Sequence, residues 1–417
     1  MIHASTSRFN PVTLIFLEIF VMGLAGIPVA YLFDRESFNS VFTYKLSDPR
    51  FISIALAASI YCVVIMGTLY YGLGMRRKIV SYCRRDIILL DQVQYRWIWM
   101  LTFGLILICI GYLFVQTGGR HPGLSALDSS YLDIKLMRRG VAESINMNVY
   151  NLGFKFLLPL NMILALFFLK KRTVYLILST ALFIVMGTFV LEKGPVVSLI
   201  IMLVMFKMLM SGLSMKKLIL YVIFAVLLIS SMYFLTRFAS NLSSLSSGLY
   251  RRIIYGEISD LPYYFEVFSE RKISPLALLP PYISRLFGQA DSQSAARLII
   301  EYTNPAAVKL GTAGAANSFF VGEAYAVAGK LGVVLSPFLV MLNLGFFIFL
   351  FSKLRKNIYY VFFFTWLLYR TFEGVFGGIS YFTFSGVHIV LILFFYLFLS
   401  AALVRRIKKK RLGLADA

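Results

Sequence analysis

Of the 417 residues, 59% are hydrophobic and 14% charged, and the mean hydropathy is +0.80. A soluble domain carries roughly 45–50% apolar and about 25% charged residues. The composition therefore excludes a water-soluble fold and predicts an all-α polytopic membrane protein. The formal charge of +22 is no nucleic-acid signal, because Lys and Arg collect in the cytoplasmic loops of membrane proteins.

Apolar runs near the ~20 residues that cross a bilayer occur at about 12–33, 51–73, 97–117, 152–169 and 174–191. Further runs follow at about 196–213, 218–235, 331–351, 358–376 and 381–404. Ten transmembrane helices are expected, helices because backbone groups cannot stay unpaired in lipid. The first run is longer than the roughly 7–15 residues of a signal-peptide core and reads as an uncleaved span. The connections "MRRKIVSYCRRD", "LKKRT", "MKK" and "SKLRKN" and the tail "VRRIKKKR" are basic, and those between them are near neutral or of mixed sign. The positive-inside rule puts both termini in the cytoplasm. An incomplete span at 174–191 or 196–213 would instead put one terminus outside. Cys62 and Cys109 lie in apolar runs and Cys83 in a cytoplasmic connection, so neither disulfides nor a Cys/His metal site is expected.

Two outer loops are too long to be mere connectors, 118–151 and the large loop 236–330 between the seventh and eighth spans. In the large loop, "DLPYYFEVFSERK" and "PPYISRLFGQADSQSAARLIIEYT" read as short amphipathic helices separated by proline. No internal repeat is visible.

Ionisable groups at membrane depth are functional candidates by default. Lys207 and Lys155 lie near span ends, where snorkelling to the surface explains them. Glu18 sits mid-helix in the first span and is expected to be protonated or paired in packing. Arg370 and Glu373 share a helix face in the outer half of their span. They read equally as a structural ion pair and as a cation, oriented by its carboxylate, facing an outward cavity. In "VLEKGPVVS", Gly194 and Pro195 reverse the chain and hold Lys193 beside a helix N-terminus, a standard means of gripping phosphate. The arginine pairs Arg138–Arg139 and Arg251–Arg252, with Arg285 and Arg297, lean toward an anionic ligand because a guanidinium fork matches two phosphate oxygens. The outer loops hold no clustered carboxylates of the kind that bind a divalent metal. The large loop has no histidine; the three are His3, His121 and His388.

The stretch "AANSFFVGEAYAVAGKLGVV" closes the large loop and opens the eighth span. Gly322, Ala326 and Gly329 fall at i, i+4 and i+7 and predict one bare helix face for close packing. This stretch, the large loop before it and the outer arginines together resemble the O-antigen (Wzy-type) polysaccharide polymerases, integral-membrane glycosyltransferases of the GT-C class. The "LEKGP" turn is similar to that family's basic residue after a short outer turn.

The resemblance implies an oligosaccharide repeat unit on undecaprenyl pyrophosphate, handled at the periplasmic face of a bacterial inner membrane. It also brings membrane lipid and a chain-length regulator as partners, with no nucleic acid. Transfer needs cations for the departing pyrophosphate and a base for the acceptor hydroxyl. Lys193, Arg251, Arg252 and Arg370, then Arg138 and Arg139, are the pyrophosphate candidates. Glu323 and Glu373, then Glu192 and Asp291, are the acid/base candidates. No metal or cofactor is expected. The alternatives are an O-antigen ligase, disfavoured by the histidine-free large loop, and a lipid-linked oligosaccharide flippase, disfavoured by the missing repeat.

Alkaline phosphatase fused after Ser130 or Pro280 is expected to be active, and inactive when fused after Lys171. Activity at Lys171 would invert the orientation.

Overall fold

The computed structural model describes residues 9–29, 31, 46, 48–125, 131–170, 172–190, 194–235, 250, 256–279, 284, 286–287, 294–310, 316 and 318–383. Their regular structure is helical, with only two isolated β-bridges and no strand among the described residues. Every apolar run up to 358–376 is helical over most of its described length. The last, 381–404, lies outside the described residues beyond Thr383.

The first span begins as α1 (Pro11–Glu18), where the Asn10 side chain accepts the Val12 and Thr13 amides and Pro11 needs no partner for its nitrogen. Immediately after Glu18 the helix widens into a π-helical stretch, Ile19–Ala25. Next come α2 (Arg50–Gly72), the amphipathic α3 (Met75–Arg84) and α4 (Gln92–Gln116), the last started by an Asp91/Gln94 capping box. Across the first outer loop lies α5 (Tyr131–Ser144). Helix α6 (Met147–Leu152) passes through a π-helical turn, Gly153–Leu157, into α7 (Leu158–Phe167). Then follow α8 (Arg172–Gly187), α9 (Gly194–Ser211) and α10 (Met215–Leu235). The described part of the large loop contains α11 (Leu261–Val267) and α12 (Ala295–Thr303). Helices α13 (Phe320–Lys353) and α14 (Ile358–Val375) close the described chain.

Among the described residues, five helical segments are long and apolar enough to cross a membrane: Pro11–Pro28, Arg50–Gly72, Gln92–Gln116, Met147–Phe167 and Phe320–Lys353. Thr173–Gly187 and Val196–Ser211 are apolar but shorter, and these are the two runs on which the even count of spans depends.

Two polar assemblies bind helices that lie far apart in sequence. Between α4, α7 and α8, Trp99 Nε1 donates to Ser179 Oγ (3.1 Å) and Ser179 Oγ to Asn161 Oδ1 (2.5 Å). Asn161 Nδ2 donates in turn to the Trp99 carbonyl (3.0 Å) and Thr102 Oγ1 (2.9 Å). At the opposite end of the bundle from the large loop, buried Lys356 donates to the carbonyls of Cys83 (2.9 Å), Arg85 (2.8 Å) and Met210 (2.8 Å). One ammonium thus closes the C-terminal ends of both α3 and α9, where carbonyls lack intrahelical partners.

Of the two amphipathic helices expected in the large loop, the first shows no solvated face over Leu261–Glu266. Leu261 through Glu266 of α11 are all buried, and α11 packs against α2 and α13. Asp260 and Glu266, the polar groups at either end of this stretch, are buried as well. Burial pushes the Asp260 carboxyl up to about 7, with nearby Glu257 adding to the shift, and its Oδ1 finds no partner among the described residues. Glu257 also comes close enough to act on the charge of Glu18. The loop therefore reaches down to the first span, and Glu18 is not beyond its reach.

Helix α13 is not one straight rod. At Gly329 the backbone takes φ 60°, ψ −141°, a combination that only glycine adopts readily. The expected bare stripe Gly322–Ala326–Gly329 therefore ends at a break. Gly322 does serve close packing, since a Cβ there would lie 3.0 Å from Leu261 and Tyr264 of α11.

Replacing Lys356 with Met leaves three carbonyls unsatisfied and is expected to cost about 3 kcal/mol, read as a lower unfolding temperature in detergent. For Asp260, the folded pKa lies above the ordinary value of 3.8. Its contribution is thus complete below pH ~4 and lost as the pH rises through about 7. The wild-type melting temperature should fall between pH 5 and pH 8, and Asp260→Asn should flatten that slope.

Candidate functional site

The C-terminal end of α14 carries Arg370 and Glu373, one helical turn apart. Glu373 holds two cations at once: Lys155 Nζ donates to its Oε1 at 2.8 Å, and Arg370 Nη1 donates to its Oε2. Lys155 comes from the π-helical turn between α6 and α7. Such a turn inserts one extra residue and re-aims the side chains that follow it. All three side chains are partly exposed, at 25%, 21% and 23% for Lys155, Arg370 and Glu373. Two positive charges and one negative leave the cluster with a net charge of about +1 at neutral pH.

Aromatic and hydroxyl groups fix this cluster from both sides. The Arg370 guanidinium lies 4.9 Å from the centre of the Tyr381 ring. On the other side, the Tyr369 hydroxyl donates to Ser198 Oγ at 2.5 Å, which donates to the Gly194 carbonyl at 2.9 Å. Gly194 opens α9, so the N-terminal turn of α9 is bound to the neighbour of Arg370.

Glu323 lies in the first turn of α13 and is buried. Its Oε2 accepts the Ser380 amide at 2.8 Å, which pins the turn Ile379–Phe382 that carries Tyr381. Gly378, at φ 120°, makes the approach possible, since a Cβ there would overlap the Glu323 carboxylate. Glu323 is thus seated as an anchor for the turn beneath Arg370.

The break at Gly329 is sealed from the large loop. Ile273 N–H donates to the Ala326 carbonyl at 3.0 Å, an acceptor that the broken helix leaves free. Lys272 Nζ lies 4.1 Å from the centre of the Tyr325 ring, and burial lowers its affinity for a proton.

Of the residues expected from sequence, Arg370 and Glu373 are brought together, with Glu323 tied to the same turn. Arg138 is half-buried on α5, where the side chain of Arg139 is not described. Lys193, Glu192, Arg251, Arg252, Arg285 and Asp291 lie outside the described residues. Arg297 pairs locally with Glu301 at 2.8 Å on α12. Lys155 corrects the sequence reading: it does not simply snorkel to the surface but pairs across the bundle with Glu373. A lysine two residues after the glycine of "NLGFKF" was the available signal, but its partner is 218 positions away.

His121 of the first outer loop is committed to its own turn. Its Nδ1 accepts the Gly123 amide at 3.1 Å, and its Nε2 lies 3.1 Å from the Val185 carbonyl.

No protein-family model, no curated protein and no solved structure matches the chain.

Proposed function

We propose that this chain is an integral-membrane glycosyltransferase of the O-antigen polymerase kind. In this reading it transfers a growing glycan from undecaprenyl pyrophosphate to an incoming lipid-linked repeat unit, at the periplasmic face of a bacterial inner membrane. The supporting observation is the convergence of Lys155 and Arg370 on one partly exposed carboxylate, beside the first turn of α9. A departing diphosphate gains negative charge in the transition state, and preorganised cations at that position lower the barrier. Arg370 and Lys155 are suited to the phosphoryl oxygens. Lys193 precedes the α9 turn that Tyr369 binds, and Arg251, Arg252, Arg138 and Arg139 are the further cations.

The acceptor hydroxyl must lose a proton as its oxygen attacks the donor sugar. Glu373 is the carboxylate within the cation cluster, whereas Glu323 supports the turn beneath it. A ligase of related architecture would call for an outer histidine free to act, and His121 has both ring nitrogens engaged. The outer loops supply no carboxylate cluster for a divalent metal, so chelation should leave transfer intact.

Deleting the gene should abolish the ladder of surface polysaccharide while a single repeat unit stays attached to the lipid core. Loss of every attached unit would instead indicate a ligase or a flippase. Lys193→Ala, Arg251→Ala and Arg370→Ala should each lower chain extension by roughly 100-fold or more, with the protein still inserted. Normal ladders from all three would remove the diphosphate site.

A further inference from the structure

We propose that Glu373 is a built-in competitor that occupies the diphosphate site of the empty protein and becomes the base only when the substrate displaces it. The inference rests on the transferase reading above and assigns the order of events within its site.

The geometry points to this role. Each carboxylate oxygen of Glu373 takes a different cation, Lys155 on one side and Arg370 on the other. Two oxygens of a phosphoryl group bridge a lysine and an arginine in the same way. The carboxylate is thus an internal stand-in for the anion that this pair of cations would otherwise hold. A purely structural ion triad explains the arrangement less well. Partly exposed ion pairs contribute little to stability, and apolar side chains of equal volume would join α14 to the π-helical turn at least as firmly. With cations exceeding anions, a doubly charged ligand is attracted, and Glu373 is the carboxylate that it must expel from both cations.

While each of its oxygens is held by a cation, Glu373 is not free to turn to an acceptor hydroxyl. When a diphosphate takes over Lys155 and Arg370, Glu373 loses these partners and its oxygens are released. It then accepts the proton of the acceptor hydroxyl while the acceptor oxygen bonds to the anomeric carbon of the donor. The bond from that carbon to the diphosphate oxygen breaks, and its electron pair leaves with the diphosphate, whose new charge Lys155 and Arg370 receive. Binding the donor thereby frees Glu373 to act as the base.

The test is binding to the purified full-length protein in nanodiscs, using inorganic pyrophosphate and undecaprenyl pyrophosphate as separate probes. Lys155→Met and Arg370→Gln should each weaken binding about tenfold, the effect of losing one charge-assisted contact. Glu373→Gln should tighten binding of both probes roughly tenfold while abolishing chain extension. If that variant does not fold, Glu373→Asp gives the same readout, since its shorter side chain cannot span both cations. Unchanged or weaker binding in a folded Glu373 variant overturns the competitor and makes the triad a structural clasp. Tighter binding of the lipid-linked probe than of the inorganic one supports a lipid-linked substrate, and equal affinity overturns that source. Binding is measured without sugar transfer, so the two failures are separable. Tightening with no extension by the wild type retains the competitor and sinks the transferase. Extension without tightening does the reverse.

Discussion

A helix that breaks within an apolar layer leaves carbonyls with no water to meet them, and the break must be sealed by protein. At Gly329 the seal comes from the large loop, through the Ile273 amide on the Ala326 carbonyl and the Lys272 ammonium over Tyr325. The site follows from this seal. It holds the first turns of α13 against buried α11, and those turns present Glu323 to the Ser380 amide. The turn so pinned places Tyr381 under Arg370, and Arg370 shares Glu373 with Lys155. Pro337, further along α13, poses the same problem on a smaller scale. There Ser336 Oγ donates to the Val333 carbonyl at 3.3 Å, and the Tyr61 hydroxyl to the Val334 carbonyl at 3.1 Å.

The two ends of the bundle use charge differently. At the end away from the large loop, Lys356 is buried and fully occupied by three carbonyls, so its charge serves to join helix ends. At the end near the loop, the cations remain partly exposed and outnumber the carboxylate that they share. A saturated cation stabilises a fold. An undersaturated pair reached by solvent is suited to an incoming anion, and this difference separates the candidate site from the remaining buried polar groups.

Much of the architecture was legible from residue chemistry alone. The apolar runs gave helices because a lipid environment permits few other solutions, and the pair Arg370–Glu373 was visible because i and i+3 share a face. The opening stretch of α13 was legible only in part. Gly322 packs against α11 as its size suggests, but Gly329 breaks the helix, and small residues look alike in sequence whether they pack or bend. Similarly, α11 read as an amphipathic helix yet is buried along Leu261–Glu266, because sequence periodicity does not record which polar groups a neighbouring chain segment buries.

The sequence by itself determined the membrane class of the protein and the positions of most helices. These depend on transfer free energies and local periodicity, which are properties of contiguous residues. Only the tertiary structure decided that Lys155 belongs with Arg370 and Glu373, that Glu323 supports a turn, and that the large loop enters the bundle to seal α13. Each of those facts depends on contacts between segments far apart in the chain, where packing and the need to satisfy buried polar groups set the partner.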